Sequence, residues 1–181
     1  MKKLVLFLVA MFLLTGCSNA GEDKQGKEEA AGSLTNQTAE ASANDKGFSF
    51  EYQGVKIPMN VDVAPIVEKL GKSVDYFEAA SCAFQGLDKI YYYNGFELGT
   101  YPNGNKDYVS YVNLLDDSVT TAQGIYLGST LDEVITAYGS EYTAEGTSYV
   151  YRLGDSKLTF IIEEDAVTQI TYSAIVEGLN N

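Results

Sequence analysis

The residues best able to do chemistry in this sequence are carboxylates and tyrosines, and what is missing narrows their work. Histidine is absent from all 181 residues. That removes the commonest general base and metal ligand, and with them Ser-His-Asp, Cys-His and most zinc chemistry. Carboxylates stand together at Asp116-Asp117, Asp132-Glu133 and Glu163-Glu164-Asp165. A hydrolytic pair needs one carboxyl in apolar surroundings that raise its pKa. Each of these clusters lies where a strand gives way to a turn or where a helix opens, places that favour charge through solvation and the helix dipole. Asn103-Gly104-Asn105-Lys106-Asp107 begins like a calcium loop. Tyr108 occupies the place of the sharp-turn glycine and no glutamate closes the loop, so a hairpin turn is expected. Cys82 sits among small and apolar neighbours and is expected to be a buried, inert thiol. The sequence therefore predicts no catalytic residues, no metal and no cofactor.

Tyrosine is the other conspicuous group: the chain has 14 tyrosines and no tryptophan. Tyr91-Tyr92-Tyr93 precedes Asn94-Gly95, and Phe96 and Tyr101 follow it. Strand alternation sends Tyr91 and Tyr93 to one face of a sheet and Tyr92 to the other. Exposed tyrosine offers large contact area at small entropic cost, so Tyr91, Tyr92, Tyr93, Phe96 and Tyr101 are the candidate binding residues. Tyrosine also suits half-buried strands for purely structural reasons.

These residues need elements to position them. A shift of 68 residues lays Ile57–Gly71 over Ile125–Gly139. Each segment reads as a short strand, a cap and a helix that stops at a glycine. Thr130 and Glu133 have capping-box spacing, and Asp62 is the expected cap of the first helix. Val63, Ile66, Val67 and Leu70 make one apolar helix face, and Leu131, Val134, Ile135 and Tyr138 make the other. Strand-like runs follow each helix: 89–93, 96–101 and 108–115, then 148–153, 157–162 and 167–173. Asn94-Gly95 between β-rich runs is a strong hairpin signal. The expected fold class is α+β, with two tandem β-α-β-β-β repeats (54–117 and 122–175) forming one antiparallel sheet with both helices on one face.

Gly124-Ile125-Tyr126-Leu127-Gly128-Ser129-Thr130, followed by Glu133-Val134 and Tyr138-Gly139, resembles the opening of two related families. One comprises the small assembly lipoproteins of the SmpA/OmlA type, and the other is the β-lactamase inhibitory protein. The resemblance implies a non-catalytic fold that works by protein contact through an open sheet. The first segment departs from the pattern, with Asn60 in place of the second glycine and Pro65 inside the helix.

The first residues give the chain an address. Lys2 and Lys3 precede an unbroken apolar run from Leu4 to Leu14. Such a run reaches about 16 Å as a helix, roughly half the hydrocarbon thickness of a bilayer, which fits a signal h-region. Leu14-Thr15-Gly16-Cys17 then resembles the lipobox of bacterial lipoproteins. That resemblance implies a signal peptide over 1–16, cleavage before Cys17, and a diacylglyceryl thioether on that cysteine. Two or three acyl chains anchor a protein stably where one is marginal. Residues 18–46 are polar and carry Leu34 as their one large apolar side chain, so 17–46 is expected to be a disordered tether. A globular domain is expected over 47–181.

The net charge is −13. A surface so acidic repels nucleic acid and anionic lipid. The expected function is that of a non-catalytic protein- or peptide-binding module of the cell envelope, held by its lipid on the extracytoplasmic face of the cell membrane. A lipoprotein binding a small solute or an envelope polymer, and a hydrolase using carboxylates alone, are the alternatives.

Overall fold

Short alternating apolar runs broken by Gly, Asn and Asp turns make strand the predominant element among the described residues. Residues 47–179 are described by a computed structural model. β1 (Ser49–Tyr52) and β2 (Val55–Pro58) form a hairpin around Gln53 and Gly54, both at positive φ. They pair with each other as a separate two-stranded sheet. After α1 (Ala64–Leu70), the chain runs through β3 (Asp75–Ala80), β4 (Leu87–Tyr93), β5 (Phe96–Asn103) and β6 (Lys106–Leu114). After α2 (Leu131–Tyr138) come β7 (Thr143–Glu145), β8 (Ser148–Leu153), β9 (Ser156–Glu163) and β10 (Ala166–Ala174).

Eight strands form one antiparallel sheet in the order β3-β4-β5-β6-β10-β9-β8-β7. Two meanders therefore meet where β10 lies beside β6. Their contact is short, Tyr111 to Asn113 against Thr171 to Ser173. The irregular segment before α1 hydrogen-bonds along the start of β6, through Asn60 N–H to Val109 O and Val63 N–H to Asp107 O.

Register puts Tyr91, Leu98, Val112, Tyr172, Leu158 and Tyr151 in one row across one face of the sheet. That face is the core side. Phe50 and Ile57 of the hairpin, Ile66 of α1 and Val134 of α2 are buried in the same cluster. Each such side chain contributes about 1.5–3 kcal/mol by leaving water. The opposite row holds Ile90, Gly99, Tyr111, Ser173, Lys157 and Arg152.

This architecture corrects the α+β expectation. About half of the described residues are strand, and the helices are two, of 7 and 8 residues. The expected repeats of one strand, one helix and three strands are not what forms. In the first, the opening strand β2 joins the small hairpin instead of the large sheet. In the second, residues 125–127 form no strand. Gly124 and Gly128 are left-handed there, and Thr121 N–H bonds back to Ile125 O, which bends the chain. Residues 75–80 and 143–145, for which the sequence predicts no strand, add an edge strand to each side. The picture of two tandem repeats carrying helices on one face gives way to a predominantly β domain.

Candidate functional site

The tyrosine hairpin is present, and its side chains divide sharply by environment. Phe96 is fully buried, with the rings of Phe50 at 5.0 Å and Tyr52 at 4.9 Å. Tyr93 stacks on Phe96 at 5.0 Å and donates its hydroxyl to Gly71 O at 3.4 Å. Burial raises its pKa, with Tyr91 adding to the effect. Tyr101 is also buried; it donates to the Asn60 side chain and packs against Phe84 at 5.3 Å. These three side chains are structural here, because the β1–β2 hairpin, the α1 terminus and the 81–86 loop cover them.

Tyr91 and Tyr92 are half-buried and remain available at the surface. Tyr91 packs on Tyr76 of β3 with ring centroids 5.1 Å apart. Tyr92 points to the opposite face, level with Asp75 and Glu97 on the flanking strands. The sequence reading missed β3, which completes this site. All six of its residues are exposed, Tyr76 and Phe77 among them, and Val74 and Leu87 extend the apolar surface beside it. The signal was there in the β-rich run Val74-Asp75-Tyr76-Phe77, hidden because it lacks a flanking Asn-Gly.

β3 is the terminal strand of the sheet, so one side of its backbone is unpaired. The Ser81 N–H to Gly86 O bond sets the phase of pairing with β4. Odd-numbered residues bond inward, and Tyr76, Glu78 and Ala80 turn their backbone groups outward. Asp75 Oδ1 accepts the Tyr76 N–H at 2.8 Å, which leaves Glu78 and Ala80 as the open donors. The other edge, β7, is only 3 residues long.

The remaining candidates are placed as follows. Asp116 accepts from Ser118 N–H and hydroxyl, and these bonds hold its pKa below the usual carboxylate value. Glu164 and Asp165 form the left-handed turn between β9 and β10. Glu133 completes the capping box of α2 with Thr130. Asn103 to Lys106 is a hairpin turn between β5 and β6. Cys82 corrects the expectation of burial: it is an exposed free thiol, because the 81–86 loop lies outside the sheet.

Comparison with known families adds the deciding observation on the address. Residues 1–18 match the family model for the prokaryotic membrane lipoprotein lipid attachment site. The match supports a bacterial lipoprotein. No curated protein and no solved structure matches the chain. The resemblance to the β-lactamase inhibitory protein and the SmpA/OmlA lipoproteins thus gains no support from a homologue.

In this lipoprotein the match implies lipid attachment to a membrane, with Cys17 as the cysteine in the matched segment. The signal peptide expected over 1–16, the lipidated Cys17 and the tether expected over 17–46 lie outside the described residues. Among the described residues no helix is long and apolar enough to cross a membrane.

Proposed function

We propose that this lipoprotein is a non-catalytic binding module, held by its lipid on the extracytoplasmic face of the cell membrane, whose partner is an envelope protein or peptide. One observation carries the reading: β3 is a fully exposed edge strand that bears Tyr76 and Phe77 and has open backbone donors. Proteins ordinarily blunt such edges by shortness, charge or proline, because an unpaired edge templates pairing with another chain. β7 is blunted by shortness, whereas β3 runs six residues with no proline and no lysine, Asp75 and Glu78 being its charges. An extended segment of a partner adds here as a further strand, gaining main-chain hydrogen bonds from Glu78 and Ala80. Phe77 and Tyr92 on one face, with Tyr76 and Tyr91 on the other, grip its alternate side chains.

The test places a photo-crosslinking amino acid at Phe77 in living cells, with Glu145 on the opposite edge as the control. A discrete adduct at position 77, lost in Glu78→Pro and kept in Glu78→Ala, is expected. Proline removes an outward donor while sparing the inward ladder, so this pair of variants isolates the backbone contribution. Identical adducts at both edges, or equal crosslinking in both Glu78 variants, would refute strand addition at β3.

A further inference from the structure

The face of the sheet away from the core carries a cleft of about 350 Å³ that strand addition at β3 does not use. Its floor exists because of a glycine. The Tyr111 ring lies directly over Gly99, where an added Cβ would come within 2.0 Å of it. With no side chain at position 99, the ring lies close against the sheet and leaves space above. Ile90 extends this floor. The 81–86 loop forms one wall, held by Ser81 Oγ accepting the N–H groups of Ala83 and Phe84 at 3.3 and 3.2 Å. The chain leaving β10 forms the other wall through Gly178 and Leu179.

Into this cleft, which Thr100 and Ser110 also line, the fold sets one carboxylate, Asp88. Its Oδ1 is buried and has no hydrogen-bond partner. Stripping a polar oxygen of water without replacing its bond is unfavourable, and more so when the group is charged. Lys89, next in sequence, does not relieve it, since its ammonium pairs with Asp107 at 2.8 Å. Tyr111 does not either: it makes no bond to Asp88 Oδ1, and burial followed by the charge of Glu97 raises its pKa. The cleft therefore combines an aliphatic and aromatic floor, a volume within the range of small-ligand sites, and a carboxylate oxygen that no protein group bonds.

We propose that this cleft binds a small aliphatic amine, its ammonium facing Asp88 and its methylenes lying against Ile90 and the Tyr111 ring. The ligand supplies the positive charge and the donor that Asp88 lacks, and a charge-assisted bond is about twice as strong as a neutral one. Amino, amidine or guanidine headgroups fit this chemistry; anions and sugars do not.

Cys82 lines the same cleft and provides the readout. With the sulfur of Cys17 taken by lipid, it is the thiol a maleimide reaches in the full-length lipoprotein. Putrescine is titrated against that protein in detergent, with butanediol as the neutral counterpart, while Cys82 alkylation and heat of binding are followed. Putrescine is expected to bind saturably and slow alkylation, and butanediol to do neither. Asp88→Asn should weaken putrescine about tenfold or more while melting no lower than wild type. Ala83→Leu, which narrows the mouth and leaves Asp88 in place, should block binding too. The proposal is overturned if butanediol protects Cys82 as well, if Asp88→Asn binds putrescine like wild type, or if no binding occurs. It is equally overturned if putrescine binds without slowing alkylation, since the amine would then sit elsewhere on the acidic surface.

Discussion

A tyrosine hydroxyl closes the glycine that ends each helix. Tyr93 donates to Gly71 O at 3.4 Å and Tyr151 donates to Gly139 O at 2.8 Å. The shorter bond lies in the favoured range for O–H···O, and the longer one is beyond it. Tyr151→Phe should therefore cost about 1 kcal/mol in urea unfolding, and Tyr93→Phe only a few tenths. Equal losses would show that hydrogen-bond length does not set the difference. The same residues show where reading the sequence fails. Alternation assigned Tyr91 and Tyr93 correctly to one face. It could not show that Tyr93, Phe96 and Tyr101 would be covered, because the cover comes from far away in the chain. Phe50 and Tyr52 reach Phe96 across more than forty residues from a hairpin whose first strand gave no strong signal. Burial of a strand face is decided by what packs on it, and local periodicity carries no record of that.

At the level of elements, legibility tracks how local the determining interaction is. The capping box of α2 was readable, since both partners lie within four residues: Glu133 N–H bonds Thr130 Oγ1 at 3.3 Å and Thr130 N–H bonds Glu133 Oε2 at 2.8 Å. The six strands flanked by Gly, Asn and Asp turns were readable too, with the 148–153 strand matching in full. The assignment of strands to sheets was not, because β2 and 125–127 depend on backbone bends and distant partners. The cap expected at Asp62 shifts by one residue. Val63 is the N-cap of α1 and makes no side-chain cap bond, while Asp62 Oδ1 accepts the Ala64 N–H at 3.1 Å. The two helices should thus differ in how they respond to cap removal. Thr130→Ala should destabilise the domain by about 1 kcal/mol, measured by urea unfolding, whereas Val63→Ala removes no cap bond and acts only through lost packing. Hydrogen exchange separates the cases: only Thr130→Ala should speed exchange selectively in the first turn of its own helix. Uniform acceleration through the domain would assign the loss to global stability instead.

For the whole molecule, the lipid attachment site and the core answer to different perturbations. Cys17→Ala should move the protein out of the membrane fraction or leave it there as an uncleaved precursor, and mass spectrometry of wild type should show acyl mass on the residue 17 peptide. Wild type without lipid at that position would sink the assignment of the anchor. The core responds to alkali because it is built around tyrosines. Burial raises the pKa of Tyr93, Tyr101, Tyr138 and Tyr172, and burial followed by the neighbouring Tyr142 and Tyr138 pushes Tyr151 up to about 12. An unfolded tyrosine ionises near pH ~10. Since the folded values are the higher ones, the unfolded chain releases protons first as pH rises. The stabilising difference is complete below pH ~10 and is lost as pH climbs through the folded values. Urea midpoints should therefore hold level from neutral pH to about 10 and then fall steeply toward about 12. Phenolate absorbance followed in parallel should rise in two stages, exposed tyrosines first and the buried set together with unfolding. The raised pKa values of Lys89 and Lys106 act in the same direction, so Tyr151→Phe distinguishes the sources. If the tyrosine core is responsible, that variant loses stability at neutral pH yet declines less steeply in alkali. A level midpoint through pH ~12, or full phenolate titration near ~10 in a still-folded protein, would show that these rings are not sealed from water.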